Sequence, residues 1–137
     1  MKKSFNHKIK VYYEDTDAGG VVYYANYLKF LERARSEALS EVGLSNLKIK
    51  NNYGALIVVK SCNIDFNKSA HLEDKLKIKS VVTSFSKTSF TMSQSIYRNK
   101  DVIVKSKVHL VFVNEKSKPI KIPEKILKSL KPFLSIY

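Results

Sequence analysis

Tyr12-Tyr13-Glu14-Asp15-Thr16-Asp17-Ala18-Gly19-Gly20-Val21-Val22-Tyr23-Tyr24-Ala25-Asn26-Tyr27 joins an apolar, β-prone run to the longest helical pattern in the chain. Two acids, Asp15 and Asp17, fall in the bend, and Gly19 and Gly20 follow them. Glycine takes positive φ at little cost and lets another backbone or a ligand approach closely. A helix then begins. The unpaired N–H groups and partial positive charge of a helix start suit a developing anion. The stretch therefore sets a carboxylate beside an anion-stabilising element.

Outward from it, residues 8–13 read as a strand with Ile9, Val11 and Tyr13 on one face. Residues 25–42 place Tyr27, Leu28, Leu31, Ala34, Ala38, Leu39 and Val42 in one helical stripe. Asn26 is the expected N-cap, and Gly43 is the expected C′ residue. Asn51, Asn52 and Gly54 punctuate the chain before a strand over 55–66. The centre of that strand, Leu56-Ile57-Val58-Val59, is apolar on both faces, which predicts a central strand.

Alternation marks a half-exposed strand over 75–85, another from Ser89, and a last one over 102–114. Asn99-Lys100-Asp101 makes the hairpin between the last two. Ile126, Leu127 and Leu130 form a short amphipathic helix after Pro119 and Pro123. Strand, long helix, then strands joined by short turns predict an α+β domain. In it an antiparallel meander covers the stripe of one long helix.

The length of 137 residues suits one domain, 1–137, with a substantial core. No apolar run reaches membrane-spanning length. The basic start, Met1-Lys2-Lys3-Ser4, has no apolar h-region and is not expected to be a secretory signal. The single Cys62 excludes an intramolecular disulfide. These features predict a cytoplasmic protein. The net charge of +13 is carried almost wholly by lysine, with Arg33, Arg35 and Arg98 the only arginines. Arginine is the preferred partner for bidentate phosphate and base contacts, so no nucleic-acid partner is expected. Attraction to an anionic membrane surface fits such a charge.

The pattern Asp-x-x-Gly-x-Val-x-Tyr from Asp17 to Tyr24, then Ala25-Asn26-Tyr27-Leu28 and Glu32-Arg33-Ala34-Arg35, resembles the hotdog-fold acyl-CoA thioesterases. The branches it is most similar to are the Tol–Pal-associated and the 4-hydroxybenzoyl-CoA thioesterases. The resemblance implies a hotdog fold, an antiparallel sheet of about five strands wrapped around one long central helix. It implies an acyl-CoA substrate, no cofactor, and a homodimer or homotetramer with sites at subunit interfaces. Acyl carrier protein and the inner-membrane surface are further implied partners.

Spacing alone leaves Asp15 and Asp17 open between capping residues and chemistry. The resemblance assigns Asp17 as general base or nucleophile and leaves Asp15 structural. It puts the oxyanion at the helix-start N–H groups near Tyr24. Tol–Pal-associated relatives commonly carry His at this position and the 4-hydroxybenzoyl branch carries Tyr. A phenol is a poor base at neutral pH but can donate a hydrogen bond. The pantetheine arm is expected along Val58 and Val59, with Lys60 and Lys87 toward the CoA phosphates. Cys62 has no His nearby in sequence, and His7, His71 and His109 lack metal-ligand spacing, so no metal is expected. The other readings are a non-catalytic acyl-CoA or acyl-carrier-protein binding module and a hotdog hydratase or dehydratase, which would generally need a catalytic His.

Overall fold

The computed structural model describes residues 3–135. Met1 and Lys2, which open the basic N-terminal segment, lie outside the described residues, as do the last two. The elements are β1 (Phe5–Lys10), α1 (Ala25–Glu41), α2 (Asn46–Tyr53), β2 (Leu56–Phe66), β3 (Lys75–Phe85), β4 (Ser89–Arg98), β5 (Asp101–Val113) and α3 (Glu124–Leu130). The strands form one five-stranded sheet in the order β1-β3-β4-β5-β2, with every neighbour antiparallel. This is the hotdog arrangement that the motif implied.

The stripe of α1 is its buried face: Tyr27, Phe30, Leu31, Ala34, Ala38 and Leu39. The first half of the helix packs with Val11, Ile78, Ile96 and Ile103. Its second half packs with Ile49, Phe90, Leu110, Phe112 and Ile126. One helix thus spans both apolar clusters. It ends in a Schellman turn, as the sequence anticipates. Gly43 has φ +77°, its N–H donates to the Ser40 carbonyl at 3.0 Å, and the Leu44 N–H donates to that of Leu39 at 2.8 Å.

Several expectations need correction. β1 begins and ends earlier than the strand read over 8–13. Val11 instead exchanges backbone bonds with the β2–β3 connection, to Asp74 and from Glu73, each at 2.9 Å. The residues Tyr13–Asp15 tighten into a single 3-10 turn. α2 occupies a stretch read as punctuation. Ser45 caps it by accepting from the Lys48 N–H at 3.3 Å, Ile49 is buried beneath it, and Gly54 closes it at φ +61°. The meander holds for β3, β4 and β5, but β2 lies at the far side of β5. β2 is therefore an edge strand rather than a central one, and most of its residues are exposed in the single chain.

The outer face of the sheet is lysine-rich. Lys75, Lys77 and Lys79 are exposed while Leu76, Ile78 and Ser80, which alternate with them, are buried. Lys8 stands directly opposite Lys77, and Lys10 opposite Lys75.

Candidate active site

The bend is held by its own backbone and by Asp15. That carboxylate is buried and accepts from the Tyr12 N–H at 2.9 Å. The Asp15 carbonyl accepts from the Tyr23 N–H, also at 2.9 Å, and from the Asn26 side-chain amide at the same distance. Asp15 thus ties Tyr12, Tyr23 and Asn26 together across the bend. Asn26 is not the N-cap: Tyr24 precedes the first helical residue, without a side-chain cap bond.

Asp17 follows in the exposed part of the bend. Its N–H donates to the Val21 carbonyl at 2.9 Å, and its carbonyl accepts from the Gly20 N–H at 3.1 Å. Its Oδ1 accepts from the Gly19 N–H at 2.8 Å. A Cβ at Gly19 would meet that oxygen at 3.3 Å, and Gly20 has φ +80°, so both glycines serve the turn. One carboxylate oxygen is thereby oriented. The other, Oδ2, has no hydrogen-bond partner among the described residues.

At the start of α1, the Asn26 N–H donates to the Tyr23 carbonyl at 2.8 Å and the Tyr27 N–H to that of Tyr24 at 3.2 Å. Among the described residues, the N–H groups of Tyr24 and Ala25 have no acceptor. They are the free donors of this helix terminus. The Tyr24 ring is exposed and meets Phe66 edge-on at 5.9 Å between centroids. Tyr27 is buried and also packs on Phe66, with ring centroids 5.8 Å apart, and its hydroxyl accepts from the Ala70 N–H at 3.0 Å. Burial pushes the Tyr27 phenol above its ordinary value, with the Ala70 bond opposing. The helix start is thus fastened to the end of β2.

Val58, Val59 and Lys60 lie on the opposite half of β2. Val58 faces Val111 and Val59 faces Leu110, but Ser61 faces His109, so Lys60 is the extra residue of a bulge. Lys87 is in the β3–β4 turn, where its carbonyl accepts from the Ile122 N–H at 2.9 Å. Ser89 pairs with Val111, which pairs with Val58, so Lys87 belongs to the same end of the sheet as Val58 and Val59. Asp17 and Tyr24 sit at the Phe66 end. Phe66 lies seven residue steps along the strand from Val59, about 23 Å at ~3.3 Å per residue. One chain therefore does not bring the two groups of expected site residues together.

Cys62 is exposed in the middle of β2. His109 hydrogen-bonds Ser89 at 2.9 Å, and His71 lies 3.8 Å from Asp74.

The sequence reading missed a polar cluster under α1. Gln94 is wholly buried in β4. Its Nε2 donates to the Leu31 carbonyl at 3.0 Å and to Ser80 Oγ at 3.1 Å, while its Oε1 accepts from Arg35 Nη1 at 2.9 Å. The signal was present. Gln94 is the polar member of the inward set Phe90, Met92, Gln94 and Ile96, and such a residue needs a buried partner. Arg35 opens onto a cavity of about 290 Å³ between α1, α2 and the first residues of β2. Asp17 and Tyr24 are not among its lining residues.

Comparison with known proteins gives a consistent result. Residues 11–130 match the model of the thioesterase-like superfamily. The chain is 35% identical to the acyl-CoA thioesterase YbgC of Haemophilus influenzae, over 92% of this chain and 93% of that one. It is 37% identical to the acyl-CoA thioesterase YbgC of Helicobacter pylori, over 90% and 96%. A crystal structure of a probable thioesterase from Bartonella henselae is 33% identical and superposes with a TM-score of 0.85, covering 88% of this chain and all of that one.

Proposed function

Because this chain belongs to the thioesterase-like superfamily, we propose that it is an acyl-CoA thioesterase that hydrolyses the thioester to a free acid and CoA. The observation that carries the chemistry is the pairing of a turn-held Asp17 with an open helix start. In this reading Asp17 acts as general base on a water at the thioester carbonyl, or as nucleophile itself, forming a mixed anhydride that a water then hydrolyses to the free acid. The N–H groups of Tyr24 and Ala25 take the oxyanion, a contribution of about 3 kcal/mol per donor. Collapse of the tetrahedral species breaks the C–S bond and releases CoA thiolate. The Tyr24 phenol serves as a hydrogen-bond donor at the pocket mouth rather than as a base.

The site is proposed to be shared between two chains. β2 is an edge strand with exposed Leu56, Val58, Val59 and Phe66, and a long apolar edge calls for a partner. Antiparallel pairing of β2 with β2 of a second copy would lay the Leu56 end of one strand along the Phe66 end of the other. That brings Val58, Val59, Lys60 and Lys87 of one chain toward Asp17 and Tyr24 of the next. The proposed assembly is a homodimer, or a homotetramer built from it.

The exposed thiol of Cys62 fits a reducing compartment, so the cytoplasm is the proposed location. The lysine-rich sheet suits acyl carrier protein or an anionic inner-membrane surface as a further partner. A link to the Tol–Pal system rests on the motif resemblance. The test is a panel of acyl-CoA thioesters with a thiol-trapping dye. Catalytic release of CoA, abolished in Asp17→Asn, supports the reading. Tight binding with no release would replace it by a binding module.

A further inference from the structure

Arg35 presents a cation to the cavity, with the Glu32 carboxylate on the same wall but no ion pair formed between them. Its guanidinium is a rigid fork of N–H donors. The only hydrogen bond it makes among the described residues is Nη1 to Gln94 Oε1, at 2.9 Å. Glu32 lies one turn earlier on the same wall, but its Oε2 accepts from Ser36 Oγ at 2.6 Å. Asn46 holds Ser36 in turn, with its Nδ2 3.0 Å from the hydroxyl. Arg35 forms no ion pair among the described residues. Burial pulls its pKa below the ordinary arginine value, while the Glu32 charge opposes the shift. A partly desolvated cation with unused donors is costly unless an acceptor meets it. The Gln94 anchor also fixes where those donors point.

The rest of the cavity wall is apolar, with Leu39, Ile57, Phe90 and Leu110 facing the same space. The cavity, about 290 Å³, lies at the small end of the roughly 300–1,000 Å³ usual for ligand pockets, a size that suits a short to medium chain. A wall of this kind fits an apolar chain that ends in oxygen.

We propose that this cavity takes the acyl group and that Arg35 is a specificity-determining residue, donating to a hydroxyl or carboxyl oxygen carried by that group far from the thioester. The proposal rests on the thioesterase reading above. It adds a substrate class, a short to medium acyl chain with a distal oxygen, in place of a plain saturated chain. The reaction is unchanged, with the thioester C–S bond cleaved by water and Arg35 touching only the far end of the substrate.

The experiment compares kcat/KM for octanoyl-CoA, 8-hydroxyoctanoyl-CoA and the mono-CoA thioester of octanedioic acid. A site built to hydrogen-bond an oxygen discriminates against the analogue lacking it. The expected result is a preference of at least about tenfold for one of the two oxygenated substrates, and which one tells hydroxyl from carboxyl recognition. In Arg35→Met the ratio falls to about one, and in Arg35→Lys part of it returns. A wild-type preference for octanoyl-CoA, or an unchanged ratio in Arg35→Met, overturns the proposal. Should Arg35→Met not fold, the ratio in Arg35→Lys decides: it must fall below wild type. If no thioester is hydrolysed at all, the thioesterase reading fails on its own. Calorimetry with octanoate, 8-hydroxyoctanoate and octanedioate then decides the Arg35 proposal. Tighter binding of an oxygenated acid that is lost in the Arg35 variant supports it, and equal binding of all three overturns it.

Discussion

The side chain of Asn26, in the first turn of α1, donates to the backbone carbonyl of Asp15 at 2.9 Å. The bond ties the helix start to the bend that carries Asp17. Asn26→Ala deletes a part-buried hydrogen bond worth about 1 kcal/mol. The melting temperature should fall by about 4 °C. Turnover should fall more than that loss of stability explains, because the open N–H groups and Asp17 lose their common anchor. Thermal unfolding and kcat, measured on the same preparation, check both.

Asp17 and Asp15 should separate cleanly. Asp17→Asn keeps an oxygen that can accept from the Gly19 N–H, so the turn and the melting temperature should hold. Turnover should drop by about a hundredfold or more. Asp15→Ala removes a buried acceptor for the Tyr12 N–H and should cost about 1 kcal/mol of stability, with a milder effect on kcat at temperatures where the variant is folded. Near-wild-type hydrolysis by Asp17→Asn would remove it from the mechanism.

Acid should weaken the connection between β2 and β3. Burial works against ionisation of Asp74, but Arg98 hydrogen-bonds it at 2.8 Å. That bond, the His71 N–H and the nearby charges outweigh the burial and hold the Asp74 carboxyl below its ordinary 3.8. A depressed carboxylate contributes stability above its unfolded value and loses it as the pH falls through the folded value. Melting temperatures from pH 5 downward should therefore decline below about pH 3.8. Arg98→Met should lower stability at pH 5 and flatten that decline. Parallel curves for the two proteins would rule out the pair as its source.

Assembly through β2 has a direct test at Cys62, which is exposed at mid-strand and outside the proposed catalytic machinery. Cys62→Lys would place like charges near each other across a two-fold axis at this edge. Light scattering should give at least two chains per particle for the wild type and a lower mass for the variant. Specific activity should fall on dilution of the variant. An active wild-type monomer, unchanged on dilution, would end the shared-site model.

Much of this architecture was legible in the sequence because periodicity reports which side of an element is buried. The stripe of α1, the Gly43 terminus and β3 over Lys75–Phe85 all follow from it. Periodicity does not report whether a strand's edge is paired, so Leu56-Ile57-Val58-Val59 looked central and proved to be at the rim. α2 was hidden by Asn51 and Asn52, poor helix formers, while its caps at Ser45 and Gly54 and the burial of Ile49 decided the outcome. Asn26 had the chemistry of a cap, but the helix starts one residue before it, and its side-chain N–H donates to the Asp15 carbonyl instead. At the candidate site, the motif pointed to Asp17 and the helix start. The Arg35–Gln94 bond joins residues 59 apart, and no local pattern announces such a contact.

The lysines facing each other across β1 and β3 make the solvent around the protein part of its stability. Lys8 beside Lys77 and Lys10 beside Lys75 repel across adjacent strands, and the chain carries a net +13. Dissolved anions gather over such a face and screen it, with a Debye length of about 10 Å at 0.1 M salt. Many proteins lose surface ion pairs as electrolyte is added. This one should gain, its native state tightening with ionic strength as a diffuse cloud of counter-ions takes the place that acidic side chains hold elsewhere.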